Sequence, residues 1–494
     1  MSPATLDALP SAVARPRYDR AALRAGIVHL GLGAFARAHL IAATEAALHA
    51  DGDLRWGVCG VSLRSPDMRD ALAPQGGLYA LALRDADARG QPRESVQVIG
   101  AVTRLLVAAE DPAAVLDAIA HPDTRIVSLT VTEKGYHHDP ASGALRRDDP
   151  DLRHDLAHTG APRTTLGYLV HGLQRRRERG LGPVTLLSCD NLPANGRTLR
   201  GLVLAFAAQV DATLAAWIAA ACRFPNTMVD RIVPRTTAAD RERVAALLGA
   251  QDAAPVVAEP FFDWVIEDDF AAGRPDWSVA GARFVADAEP FEKLKLRMVN
   301  GSHSTIAYLA VMAGWRTVDQ AIAQPALRRL IDTMMHDEIE PTLPALPGLD
   351  LAGYRARLLE RFANPALAHQ TQQIAMDGSQ KLPQRLLGTL RDRLAADAPI
   401  ERLALGVAAW LHYLRGIDEA GQRYAINDPL AAELAALQRR ADGAASDDAR
   451  AALLCSHAPV FGTLGQEVRL VAAVGRQLGS LRRCGVAGTL QTFI

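Results

Sequence analysis

Twelve consecutive residues, Glu292 to His303 (EKLKLRMVNGSH), hold more chemistry than any neighbouring stretch. A lysine amine can exchange a proton, an amide can donate to an oxygen gaining charge, and an imidazole can hold a hydroxyl. At roughly 100° per helical residue, Lys295 and His303 lie about 80° apart, with Asn300 about 60° beyond His303. All three can therefore face one wall of a cleft. The alternative is a solvated polar face with a buried histidine bonded to backbone. The Asn300-Gly301 pair disfavours a helix within this helical pattern, so something other than stability selects it.

Two further polar clusters interrupt apolar runs. Ser188 to Gly196 (SCDNLPANG) follows the strand-like Val184 to Leu187, and ligands bind open parallel sheets at such carboxyl ends. Its other reading is an Asn/Gly turn capping the next helix. Phe224 to Arg231 (FPNTMVDR) sets Asp230 beside Arg231, which by itself reads as a structural ion pair.

Near the N-terminus, Ile27 to Leu30 runs into Gly31-Leu32-Gly33-Ala34-Phe35-Ala36-Arg37, a G-x-G-x-x-A turn between a strand and a helix. The first glycine permits the turn, the second lets backbone approach a pyrophosphate, and Ala36 lets helix and strand pack closely. Backbone N–H groups at Ala34 and Phe35 would then meet the phosphates at the helix start, with Arg37 adding a charge-assisted bond. After the second strand, Asp67 offers an acid to bond the adenosine ribose and favour NAD, though it lies further along than usual and reads equally as a plain loop acid. Arg64 nearby suits a 2′-phosphate, which leaves NADP open.

These groups need a scaffold. Apolar, β-branched runs at Ile27 to Leu30, Trp56 to Leu63, Arg125 to Val131 and Val184 to Ser188 alternate with helical stretches such as Ala38 to Leu48 and Pro112 to Ile119. That alternation predicts a mostly parallel, Rossmann-type α/β domain over residues 1–285. Long Ala/Leu/Arg-rich segments follow, at Leu294 to Met312, Ala326 to Ile339, Tyr354 to Phe362 and Leu403 to Leu414, predicting a predominantly α-helical domain over 286–494.

Bulk properties bound the rest. The chain has 494 residues, which suits two large domains, and 54 Lys+Arg against 55 Asp+Glu disfavours a nucleic-acid partner. The Arg175 to Arg179 run reads as a solvated helix end rather than a nucleic-acid patch. No run of roughly 18 apolar residues appears, so no membrane span is expected. Five scattered cysteines with no CxxC pair argue against a disulfide framework and a cysteine-built zinc site, and fit a reducing cytoplasm.

Taken together, the passages TVTEKGY (Thr130 to Tyr136), SCDNLPANG, FPNTMVDRIVP (Phe224 to Pro234), KLRMVNGSH (Lys295 to His303) and IAMDGSQKLPQR (Ile374 to Arg385) resemble the long-chain mannitol dehydrogenase family of polyol and sugar-acid dehydrogenases. The resemblance runs from Ile27 into the C-terminal helices. It implies a substrate cleft between the two domains and metal-independent catalysis on a small sugar or sugar acid. It makes Lys295 the general acid–base group, Asn191 and Asn300 the holders of the reacting oxygen, and His303 the residue that orients substrate hydroxyls. Glu292 matches a proton-relay position, and Asp230 and Lys381 match substrate-contacting positions. The roles make physical sense, because a carbinol carbon releases hydride more readily as its hydroxyl loses a proton.

Two features bear on the substrate. Gln373 stands where mannitol-oxidising relatives can carry arginine, and IAMDGSQKLPQR looks closer to the fructuronate reductase (mannonate oxidoreductase) branch. Arg385, with Arg297, is then expected to meet a carboxylate. Against that, Gly60 to Ser65 (GVSLRS) looks closer to the mannitol branch. Fructuronate/mannonate is the first expectation; mannitol/fructose or another polyol such as arabinitol is the second. A non-catalytic dinucleotide-binding sensor is the remote third, opposed by the intact set of Lys295, Asn300, His303 and Asn191. Ala36 and Leu40 stand where many relatives have His and Gln, so the turn is kept while its pyrophosphate contacts differ.

Overall fold

A computed structural model describes residues 1–86, 91–139, 143–346 and 349–494. The chain divides into two compact units, one of Met1–Asp85 with Pro92–Glu292 and one of Ala86–Gln91 with Lys293–Ile494.

The strands are β1 (Ile27–Leu30), β2 (Val58–Ser62), β3 (Tyr79–Ala86), β4 (Pro92–Ile99), β5 (Val102–Val107), β6 (Ile126–Leu129), β7 (Thr185–Ser188), β8 (Thr227–Asp230), β9 (Val256–Ala258), β10 (Asp263–Glu267) and β11 (Arg283–Val285). Five of them form a sheet in the order β5-β2-β1-β6-β7, and every pairing in it is parallel. β1 is buried along its whole length because it is covered on both faces. Val28 and Leu30 pack with Leu116, Leu169 and Val203 of the helices on one side. Ile27 packs with Ile41, Leu48 and Trp277 on the other. Strand periodicity thus sends alternate residues into two different cores. This is the expected Rossmann-type architecture.

The Arg175 to Arg179 run ends the helix Thr165–Glu178. Arg175 and Arg179 pair with Asp117 at 3.2 and 2.5 Å. Arg176 departs from the solvated reading: it is buried, and Nη1 donates to the carbonyls of Ile119 and His121 at 3.1 and 2.7 Å. Carbonyls at a helix C-terminus carry partial negative charge, which suits a buried guanidinium.

The second unit is helical, built around Ser302–Ala313, Pro325–Thr333, Glu401–Tyr413 and Val468–Gln491. Leu309, Leu330, Leu405 and Val474 belong to one hydrophobic core. Among the described residues, three wide π-helical stretches lie within it, Lys295–Gly301, Met334–Ile339 and Pro383–Leu387. In the second, fully buried Glu338 accepts the backbone N–H groups of Arg402 and Leu403 at 2.9 and 2.8 Å and so caps the helix Glu401–Tyr413. Among the described residues, no helix is long and apolar enough to cross a membrane.

Asn195, at the start of the helix Asn195–Val210, ties the carboxyl end of β7 to β8. Its amide donates to the carbonyls of Asp190 and Thr227, both at 3.0 Å, and its oxygen accepts the Thr227 N–H at 2.9 Å. Asn195→Ala is expected to strand these buried backbone groups and cost about 2–3 kcal/mol of stability, read by urea unfolding.

Candidate active site

In the first unit, β1 leads into the glycine turn. Gly31 has φ +94°, and a Cβ there would fall on the carbonyl oxygen of Thr130. Only glycine suits both the conformation and the contact. Gly33 begins the helix Ala34–Ala38 with no side chain capping it. A Cβ at Gly33 would meet nothing closer than 3.8 Å, so the space over the turn is open. The helix-start N–H groups, Ala34 and Phe35 among them, are thus not taken by a capping side chain and suit a phosphate. Ala36 is fully buried. These residues fit a dinucleotide.

Arg37 does not behave as expected. Its side chain is buried, donates to the Ala254 carbonyl, and lies 5.2 Å from the Tyr79 ring centroid. The helix turns it into the interior, so it is a packing residue rather than a pyrophosphate partner. Asp67 opens the helix Asp67–Leu72 beyond β2 and is exposed, as is Arg64.

The loops after β6 and β7 are held together by Asp190. Its carboxylate accepts the N–H groups of Val131 and Thr132 at 3.0 and 2.9 Å and the Tyr136 hydroxyl at 2.9 Å. Tyr136 also lies 2.5 Å from Ser188 Oγ. Burial pushes the Asp190 carboxyl up to about 6, against the lowering pull of those three bonds. Asn191, next in the chain, is exposed on the same loop. Glu292 accepts the backbone N–H of Ala194 at 2.9 Å, which anchors the far end of that loop. Asp230 ends β8 and is buried. Its neighbour Arg231 donates to the carbonyls of Glu259 and Ala38 at 2.9 and 2.5 Å.

In the second unit, Lys295, Asn300 and His303 are all buried, at 5, 8 and 7% exposure. Lys295 and Asn300 stand on the π-helical stretch and His303 on the α-helix that continues it. The Asn300-Gly301 pair therefore does not end the helix. It occupies a turn bonded i to i+5, which redirects side chains relative to a regular helix. The even 100° spacing holds only beyond Ser302. Gly301 has a packing reason of its own, since a Cβ there would sit 2.8 Å from the Arg385 carbonyl oxygen in the third π-helical stretch. Two wide turns thus meet at a glycine.

His303 packs on Phe362 with ring centroids 4.4 Å apart and stands edge-on to His369 at 5.6 Å. Burial, then His369, Arg361, Arg385 and Lys295, hold its pKa well below the usual histidine value, so the ring is neutral. Arg385 Nη1 donates to Ser304 Oγ at 3.1 Å. Lys381 Nζ donates to the Met376 carbonyl at 2.6 Å. Its segment is fixed by Asp377 in the left-handed region and by Ser379, whose N–H and hydroxyl bond Asp428 at 2.8 and 2.5 Å. Gln373 is exposed on the short helix Thr371–Ile374. Arg297 is a second departure, because it pairs with Asp392 at 2.7 Å and fastens the π-helical stretch to the helix Gly388–Ala395. Among the described residues, no group of three or more His, Cys, Asp or Glu could hold a metal ion.

Sequence reasoning gave no role to Asp190, Tyr136 or His369. An acid directly after a buried strand was the one signal available for Asp190, and it was shared with every loop acid.

Family models decide the affiliation. The mannitol dehydrogenase Rossmann domain matches residues 25–279 and the mannitol dehydrogenase C-terminal domain matches residues 287–482. The chain belongs to the mannitol dehydrogenase family. It is an oxidoreductase acting on CH–OH groups. It is 45% identical over 436 residues to the D-mannonate oxidoreductase of Escherichia coli K12, covering 87% of this chain and 88% of that one. It is 40% identical over 484 residues to a mannitol 2-dehydrogenase of Phaeosphaeria nodorum, covering 97 and 83%. Among solved structures, the Pseudomonas fluorescens mannitol 2-dehydrogenase ternary complex with NAD and D-mannitol superposes with a TM-score of 0.91 at 39% identity, over 100% of this chain and 99% of that one.

Gly301→Ala is expected to push the two π-helical stretches apart. Turnover should fall at least about tenfold while NADH affinity, measured by fluorescence titration, stays within about twofold of wild type.

Proposed function

We propose that this member of the mannitol dehydrogenase family uses NAD to interconvert a 2-keto sugar acid and its C2 alcohol, with D-fructuronate and D-mannonate as the pair. The observation that carries this reading is the charge around His303, where Arg361, Arg385 and Lys295 all act on a neutral, buried ring. A substrate carboxylate would complement that charge, and a guanidinium can hold it with two parallel bonds. The similarity to a D-mannonate oxidoreductase supports the same choice. The mannitol/fructose reading is the second, favoured by the GVSLRS passage and by the similarity to mannitol 2-dehydrogenases.

NAD, when bound, supplies a hydride acceptor or donor for the C2 carbon. Lys295 takes the C2 hydroxyl proton in oxidation and returns it in reduction. Its burial is what such a lysine needs, since a fully hydrated amine is protonated near neutral pH. Amide N–H donors from Asn300 and Asn191 hold the oxygen as it gains charge. His303, kept neutral, can both donate to and accept from substrate hydroxyls. Asp230, Lys381 and Gln373 contact the rest of the sugar chain, Arg385 takes the carboxylate, and Glu292 hands the Lys295 proton to solvent. The glycine turn holds the pyrophosphate, and Asp67 holds the adenosine ribose in preference to a 2′-phosphate.

Purified protein should be assayed with fructuronate, fructose, mannonate, mannitol and arabinitol, each with NAD(H) and NADP(H). The acids are expected to dominate with NAD(H); far better turnover of fructose or mannitol would sink the uronate reading. Lys295→Ala should lower turnover about 10²–10⁴-fold with coenzyme affinity nearly unchanged. Arg385→Ala should raise KM for the acid about 10–100-fold and much less for a neutral polyol. Equal effects on both would remove Arg385 from the carboxylate site.

A further inference from the structure

We propose that Asp190 is a positioning residue for the coenzyme, clamping the loop after β6 against the glycine turn so that the turn keeps its binding conformation. The inference rests on the reading above that the first unit holds a dinucleotide.

The connection runs through short, named contacts. Asp190 accepts two successive backbone N–H groups, Val131 at 3.0 Å and Thr132 at 2.9 Å. Thr130, immediately before them, bonds the turn itself: its hydroxyl donates to the Gly31 carbonyl at 2.9 Å. Its own carbonyl fills the place a Gly31 Cβ would occupy. His29 Nε2, at the end of β1, lies 3.1 Å from the same Thr130 hydroxyl. A shift of residues 130–132 would therefore move Gly31 directly.

That loop is not in a conformation it would choose. Thr132 has φ 62° and ψ 168°, a region foreign to a β-branched residue. Such a residue persists only where its surroundings over-determine it, and such residues gather at functional sites. The Asp190 bond restrains the Thr132 N–H, while the Thr132 carbonyl accepts the Gly135 N–H at 3.0 Å.

The choice of an aspartate is informative. The titratable groups that act on it most strongly are Tyr136 and Glu133, with Cys189 beside it in the chain, and none of these is a cation. A buried carboxylate without a positive partner opposes folding. Asparagine would relieve that, but its amide nitrogen would face a donor and only one oxygen would remain to accept. Two acceptor oxygens are needed to take both N–H groups and the tyrosine hydroxyl. Function, not stability, accounts for the acid. Because its carboxyl is pushed up to about 6, the charged clamp is complete above that pH and weakens below it. For stability the sign is reversed: the cost of the buried charge appears as pH rises from the usual carboxylate range towards 6, and stays above it.

NADH binding, followed by fluorescence titration between pH 7.5 and 5.5 with circular dichroism confirming the fold, tests this without turnover. Wild-type Kd is expected to rise severalfold as the pH falls. Asp190→Asn should bind about tenfold more weakly at pH 7.5 and lose the pH dependence. Adding Thr132→Gly should restore part of the affinity, since glycine takes a positive φ unaided. Tyr136→Phe, which spares both N–H bonds, should stay within threefold of wild type. A flat wild-type profile, or an Asp190→Asn protein with wild-type Kd and profile, overturns the proposal, and the first result needs no variant to fold. Failure of wild type to bind NADH at any pH would instead bring down the dinucleotide reading, and this one with it.

Discussion

Burial of the parallel strands β1, β6 and β7 along their whole length is the constraint from which the first unit follows. Strands buried in this way leave little room for polar chemistry along their length, so it gathers where they end. β1, β6 and β7 end side by side, and the loops leaving them are stitched by Thr130, Asp190 and Asn195. The sheet's regularity is what lets those loops be irregular. A left-handed Ala194 and a positive-φ Thr132 are affordable where the strands beneath them are rigid.

The helical unit solves the same problem by another route. It widens its helices where polar groups must emerge. Lys295, Asn300 and Arg385 all lie on π-helical stretches, and the ion pair from Arg297 to Asp392 keeps the first of these from relaxing. His303 is neutral because burial and the nearby Arg361, Arg385 and Lys295 all disfavour its charged form.

Much of this was legible in the residues, for identifiable reasons. The buried strands announced themselves by unbroken apolar runs, and β1 and the helix Pro112–Ile119 lie where the periodicity put them. The glycine turn was readable because only glycine meets the demand at Gly31. Side-chain direction was harder. Arg37 looked like a phosphate ligand from its place in the turn, yet helix rotation buries it against Tyr79. Arg297 looked available for a carboxylate until Asp392, distant in sequence, claimed it. The wide turns were illegible because a one-residue change in helical winding leaves no compositional mark beyond an out-of-place Asn-Gly. Asp190 escaped because its partners are backbone amides, which every sequence has.

The meeting of two wide turns at Gly301 bears on attempts to make the enzyme more heat-resistant. Glycine inside a helix is the first residue a stabilisation programme replaces, since the exchange to alanine ordinarily restrains the unfolded chain at no expense to the native one. At this position the missing methyl group is occupied by another segment's carbonyl. Directed evolution for melting temperature alone would therefore be steered away from the very backbone that presents Lys295, and durable variants should arise from surfaces remote from residues 295–303.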